Sequence, residues 1–194
     1  MGEQKRGRPR GFNESAALDR AVDVFWANGA GRATTRLLEA ELQMGQSSIY
    51  NAFGSKTELL HRSLDHYLDR VDADLLRPLT DRGSGSAGVV DFIRRLVDWI
   101  SDPTHPGCLM LNVVAETGTH DSVVLERSSA YRARLRSALA TALGGQAATV
   151  EVVLAGVLGL NMAAAAGAER TELDSMAEGL CEFVKSRSEA STGG

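Results

Sequence analysis

The sequence predicts an all-α protein, and three observations carry that expectation. Apolar residues recur at three- and four-residue spacing through almost the whole chain beyond residue 12. Breaks such as Asn28-Gly29, Gly54-Ser55 and Gly118-Thr119 divide the chain into segments of helical length. No stretch alternates apolar and polar residues as a half-buried strand would, and no internal repeat stands out.

Each element has a local reason. Asn13 can cap a first helix whose Glu14 sits where the helix dipole favours an anion. Leu18, Ala21, Val22, Phe25 and Trp26 form its stripe, and Asn28-Gly29 closes it. A short second helix follows Thr34, with Leu37, Leu38, Ala40 and Leu42 as its apolar members, and a third covers about residues 46–52. A long fourth runs from Lys56 to about Leu76 with Leu60, Leu64, Tyr67, Leu68, Val71 and Leu75 on one face. Arg77-Pro78 and the Gly/Ser run at residues 83–86 then mark a break. Further helices are expected near residues 88–101, 108–118, 122–143, 146–166 and 171–187, about nine helices in all.

Composition narrows the class. With 43% hydrophobic and 24% charged residues, the 194-residue chain resembles soluble globular proteins and is long enough for a small domain joined to a larger one. No apolar run reads as a bilayer span: the richest, residues 150–168, is full of Gly and Ala and carries Glu151 and Asn161. The N-terminus lacks the apolar core of a secretory signal. Cys108 and Cys181 make neither a disulfide framework nor a zinc spacing, so a reducing cytoplasm is expected, with no metal and no cofactor. The net charge of −4 is uneven: residues 1–60 hold eight Lys and Arg against seven Asp and Glu, a net +1, which leaves −5 for the remainder.

The most informative stretch is "GQSSIYNAFGSK", residues 45–56, inside a window from Leu42 to Thr57 without one acidic residue. With Leu38, Leu42, Met44, Ile49 and Phe53 turned toward the first helix, Gln46, Ser47, Ser48, Tyr50 and Asn51 are left on the outer face. Gln and Asn can pair bidentately with adenine edges, and serine suits several bases. Tyr50 and Lys56 suit phosphate, and the amides at the start of the fourth helix favour an anion. A carboxylate on this face would repel a nucleic-acid backbone, although composition alone fits a merely solvated face as well.

At these residues the chain resembles the DNA-binding domain of the TetR family of transcriptional regulators. The matching stretches are "AVDVFWANGAGRATT" and "SSIYNAFGSKTELLHRSL", with Tyr50, Phe53 and Lys56 in the family's spacing. The chain departs at Gln43, where the family usually has glycine, and at Gly45, near which it usually has serine or threonine. The resemblance implies that Thr34 caps the second helix and touches phosphate. It also implies a ligand-responsive repressor that binds a palindromic double-stranded operator as a homodimer. Its parts would be a basic disordered arm (residues 1–12), a helix-turn-helix domain (13–56), a ligand-binding and dimerisation domain (57–187) and a disordered tail (188–194). The arm contains "KRGRPRG", similar to minor-groove hooks; Arg8 and Arg10 flank a proline that keeps the chain extended. A basic tail that adds only non-specific affinity is the other reading.

The resemblance also places a small-molecule pocket in residues 88–143, with Phe92, Leu96, Trp99, Cys108, Asn112, Glu116 and Tyr131 as candidate contacts for an apolar or electrophilic inducer. Cys108, at a helix start beside His105, is read either as a reactive thiol of lowered pKa or as a buried inert one. The last two helices would pair with those of a second copy through Val152, Gly156, Gly159, Leu160, Ala163, Leu180 and Phe183. A regulator without a small effector is the main alternative. A helical enzyme is disfavoured, because His61, His66, His105 and His120 form no metal-binding pair and no nucleophile elbow or phosphate loop occurs.

Overall fold

A computed structural model describes residues 13–81, 85–118 and 120–192. Every regular element among them is helical: α1 (Glu14–Asn28), α2 (Thr35–Leu42), α3 (Gln46–Phe53), α4 (Lys56–Val71), α5 (Gly85–Ile100), α6 (Leu109–Thr117), α7 (Ser122–Ala142), α8 (Ala147–Ala165) and α9 (Arg170–Thr192). α4 does not stop at Val71. It passes through a π-helical segment, Asp72–Leu76, into a further turn, Arg77–Asp81. Pro78 has no N–H to donate and its ring crowds the preceding turn. The ladder widens just before it, with the Arg77 amide donating five residues back to Asp72, so the helix survives the proline instead of breaking there.

The first turns follow their side chains. Asn13 Oδ1 accepts from the Ala16 amide (3.2 Å) to open α1, and Thr34 Oγ1 accepts from Leu37 (3.2 Å) to open α2. Ser55 and Glu58 close a reciprocal capping box at the start of α4. Asp121 Oδ1 accepts from both Val123 and Val124 (3.1 Å each) at α7. α1 packs most heavily on α4, and α9 on α5 and α8. Phe25, Leu38, Ile49, Leu59, Leu64 and Tyr67 are almost fully enclosed, and each such aliphatic or aromatic burial contributes roughly 1.5–3 kcal/mol.

Two ends differ from the sequence expectation. α5 begins at Gly85, so the Gly/Ser break is shorter than expected, and α9 continues to Thr192, so most of the tail expected to be irregular is helical. α8 is also long and apolar enough, by length and composition, to cross a membrane. Its Val153, Leu154, Val157, Leu160 and Ala164 are nevertheless buried in the chain's own core, and its Glu151 accepts from Nε and Nη2 of Arg136 (2.6 and 3.1 Å).

Candidate nucleic-acid interface

α3 presents two faces. Ile49 and Phe53 are buried at 1% and 4% exposure, while Gln46, Ser47, Ser48 and Asn51 stand in solvent and Tyr50 is 38% exposed. The buried pair anchors the helix, and Arg62 of α4 holds its far end. That guanidinium donates to the Ala52 carbonyl (3.1 Å), lies 4.9 Å over the Phe53 ring and pairs with Glu14 of α1. The outer-face side chains are thereby mounted on a helix fixed by two neighbours.

Among the expected contact residues, Gln46 and Tyr50 come together with the start of α2. Gln46 Nε2 donates to the Tyr50 hydroxyl (3.3 Å), which also lies 3.4 Å from Thr35 Oγ1. These hydrogen bonds, from Thr35 first and then Gln46, lower the Tyr50 hydroxyl below its usual pKa. Thr34 is exposed beside them as the α2 cap. Lys56 is only half exposed, and its Nζ reaches the Gly31 carbonyl at 3.5 Å. The α4 start is not an open anion site, because Glu58 already takes the Ser55 amide (2.7 Å). Arg8 and Arg10 lie outside the described residues.

The sequence reading missed three residues. Arg32 and Arg36 are exposed in and just after the turn between α1 and α2, adding positive charge near Thr34 and Thr35. Glu39 comes from α2 to the start of α3, where its Oε1 accepts from the Gln46 amide at 2.7 Å. The acid-free window of sequence is therefore not an acid-free surface. A window along the chain cannot register a carboxylate delivered by the preceding helix.

The expected sensor residues separate into two groups. Phe92, Leu96, Cys108 and Tyr131 are buried, and Trp99 lies at their edge. Its buried indole N–H has no hydrogen-bond partner among the described residues, and its ring lies tilted 6.5 Å from that of Tyr67. Tyr67, read from sequence only as part of a packing stripe, is fully buried and donates to Cys108 Sγ (3.3 Å). Burial pushes the hydroxyls of Tyr67 and Tyr131 and the Cys108 thiol upward. Of the two readings of Cys108, these surroundings favour the buried one: desolvation outweighs the helix amides, and His105 faces Asp23 (3.4 Å) and Asp102 (3.5 Å).

Asn112 and Glu116 leave the expected pocket altogether. Asn112 Nδ2 donates to the Pro106 carbonyl (3.1 Å), which also accepts from Trp26 Nε1 of α1 (3.2 Å). Glu116 is exposed and accepts from the Gly31 amide (3.1 Å) in the turn before α2. Both tie α6 toward the first two helices, Glu116 directly and Asn112 by sharing the Pro106 carbonyl with Trp26. Open clefts lie elsewhere, one of them between residues 100–106 and the α8–α9 turn. Among the described residues, no group of three or more His, Cys, Asp or Glu is arranged to hold a metal ion.

Two residues expected at a subunit interface also serve the chain's own packing. Leu160 is 1% exposed within the core. Gly156 marks where α8 meets α9, since a Cβ there would stand 2.6 Å from Leu180 Cδ2. Gly159 faces open space, Ala163, Leu180 and Phe183 are half-buried, and Val152 is 46% exposed.

This arrangement defines a helix-turn-helix protein with a larger helical domain. Residues 17–62 match the model of the bacterial regulatory proteins, tetR family. Through these residues the chain is similar to TetR-family regulators. It is 30% identical over 112 residues to the HTH-type transcriptional repressor ComR of Escherichia coli, a match covering 57% of this chain and 53% of ComR. It thus spans about half the length of that relative. A cysteine mutant of the TetR family transcriptional regulator CifR, solved with 26bp double-strand operator DNA, is 28% identical. That likeness covers 90% of this chain and 98% of CifR at a TM-score of 0.71. SCO4454 of Streptomyces coelicolor, 20% identical, shares the fold over 91% of this chain and 95% of its own, with a TM-score of 0.77.

Proposed function

We propose that the chain is a dimeric repressor that binds a palindromic double-stranded operator in the cytoplasm and is released by a small molecule. The observation that carries this is the exposed cluster of Thr35, Tyr50 and Gln46, which ties the outer face of α3 to the start of α2. α3 would enter the major groove, with Gln46, Ser47, Ser48 and Asn51 meeting base edges. Tyr50, Thr34, Arg36 and Lys56 would meet phosphate, Lys56 by leaving the Gly31 carbonyl. The naming of ComR as a repressor and the operator complex of CifR support the reading.

Dimerisation rests on α8 and α9. Val152, Ala155, Gly159 and Met162 follow one another at helical spacing on the outer side of α8, and Met162 is 66% exposed. With Met176 and Phe183 of α9 they form an apolar face suited to a second copy. Two copies would set their α3 helices about one DNA turn, roughly 34–36 Å, apart. Release by a small molecule fits the buried Tyr67, Trp99 and Tyr131 better than thiol modification, which the raised Cys108 pKa opposes. The close packing there also favours a second reading, a regulator with no small effector; a thermal-shift screen of apolar compounds separates the two.

Selection of bound duplexes from a random library tests the main reading. Recovery of a palindrome whose binding weakens steeply with salt is expected. Failure to enrich any sequence overturns it.

A further inference from the structure

We infer that Glu39 is a positioning residue for sequence discrimination: it builds the turn between α2 and α3 and keeps phosphate away from the first turn of α3. The inference rests on the DNA-binding reading above. Three amides converge on this one residue. Its carbonyl accepts from Gln43 and from Met44 (3.2 Å) as α2 closes, and its carboxylate accepts from Gln46 (2.7 Å) as α3 opens. α3 needs that acceptor, because its N-cap residue is Gly45, which has no side chain to offer.

The carboxylate acts on two groups at once. It fixes the Gln46 backbone while the Tyr50 hydroxyl fixes the Gln46 side chain, so a base-reading amide is held at both ends before DNA arrives. It also occupies the amide end of a helix that would otherwise attract a phosphate oxygen. No hydrogen bond or ion pair to a basic side chain takes up its charge among the described residues; Arg32 and Lys56 donate instead to the Asn28 and Gly31 carbonyls, and Arg36 is exposed. Any backbone phosphate approaching the start of α3 meets a negative charge, so productive docking depends on base-edge contacts by Gln46 and the rest of the outer face.

The test compares Glu39→Gln and Glu39→Ala with wild type in the full-length protein. Affinity is measured on the selected operator, on operators changed at each base pair, and on random duplex, over a salt series. Glu39→Gln keeps an acceptor and loses the charge. It should hold operator affinity within about two-fold, raise random-duplex affinity several-fold, and steepen the random-duplex salt slope by about one as a phosphate enters. Glu39→Ala loses both functions. It should weaken operator binding about ten-fold and relax preference at the base pair that Gln46→Ala also relaxes. Circular dichroism confirms that both variants fold, and Glu39→Gln retains the acceptor if Glu39→Ala does not. Parallel changes on operator and random duplex, or no change in either variant, overturn the role of Glu39. A wild type that selects no sequence overturns the DNA-binding reading instead.

Discussion

Gln43 has a φ of 55°, a left-handed conformation that an L side chain adopts only at a cost. Its amide closes α2, so the backbone needs this shape whatever residue stands there. The departure from the family's glycine therefore leaves the turn intact and adds strain. Gln43→Gly should stabilise the protein by about 1 kcal/mol, read as a higher urea midpoint at unchanged slope. Asp121 carries a different local burden. Burial opposes its ionisation, but hydrogen bonds from His61 and from the Val124 and Val123 amides prevail and hold its carboxyl below the usual 3.8. Because the folded pKa is depressed, this contribution is complete at neutral pH and is lost as pH falls below about 4. Asp121→Ala should cost about 1–2 kcal/mol at pH 7 by removing the α7 cap, and the gap from wild type should narrow in acid.

Elements show how one helix can serve two surfaces. On α8, Val153, Leu154, Val157 and Leu160 face the chain's own core, whereas Val152, Gly159 and Met162 lie outside it. Gly159→Glu has open space around its new side chain within the chain. It should leave the circular dichroism spectrum unchanged and shift the protein to monomer in sedimentation, since a buried unpaired charge is costly at a dimer face. A dimer at micromolar concentration would place the interface elsewhere. The same helix explains a failure of sequence reading. Periodicity showed an apolar helix all round, but it could not say that Leu160 faces inward or that Gly156 makes room for Leu180.

At the scale of the molecule, polar joints around one turn and one loop supplement the apolar packing of α1 on α4. Gly31 is held at its amide by Glu116 of α6 and at its carbonyl by Lys56 of α4. The Pro106 carbonyl accepts from Trp26 of α1 and Asn112 of α6. A displacement of α6 would thus reach α1 and the start of α2 directly. Glu116→Ala removes one exposed bond and should change stability little. If coupling runs through it, the factor by which an inducer weakens operator binding should fall at least about five-fold, measured as operator Kd with and without inducer. An unchanged factor would assign coupling to the Pro106 joint or to the core.

The sequence by itself determined the helices, the cap of the first and the outer face of α3, because these depend on neighbours within a few residues: Asn13 caps the turn it precedes, and Ile49 and Phe53 leave Gln46, Tyr50 and Asn51 outward. It also pointed to the family through Tyr50, Phe53 and Lys56. Only the tertiary structure decided which groups meet across long separations. It brought Glu39 to the start of α3, turned Glu116 from an expected pocket to Gly31, carried α4 past Pro78, and enclosed Cys108 beneath Tyr67. Those outcomes depend on burial and on which helix lies beside which, and neither quantity is written in local spacing.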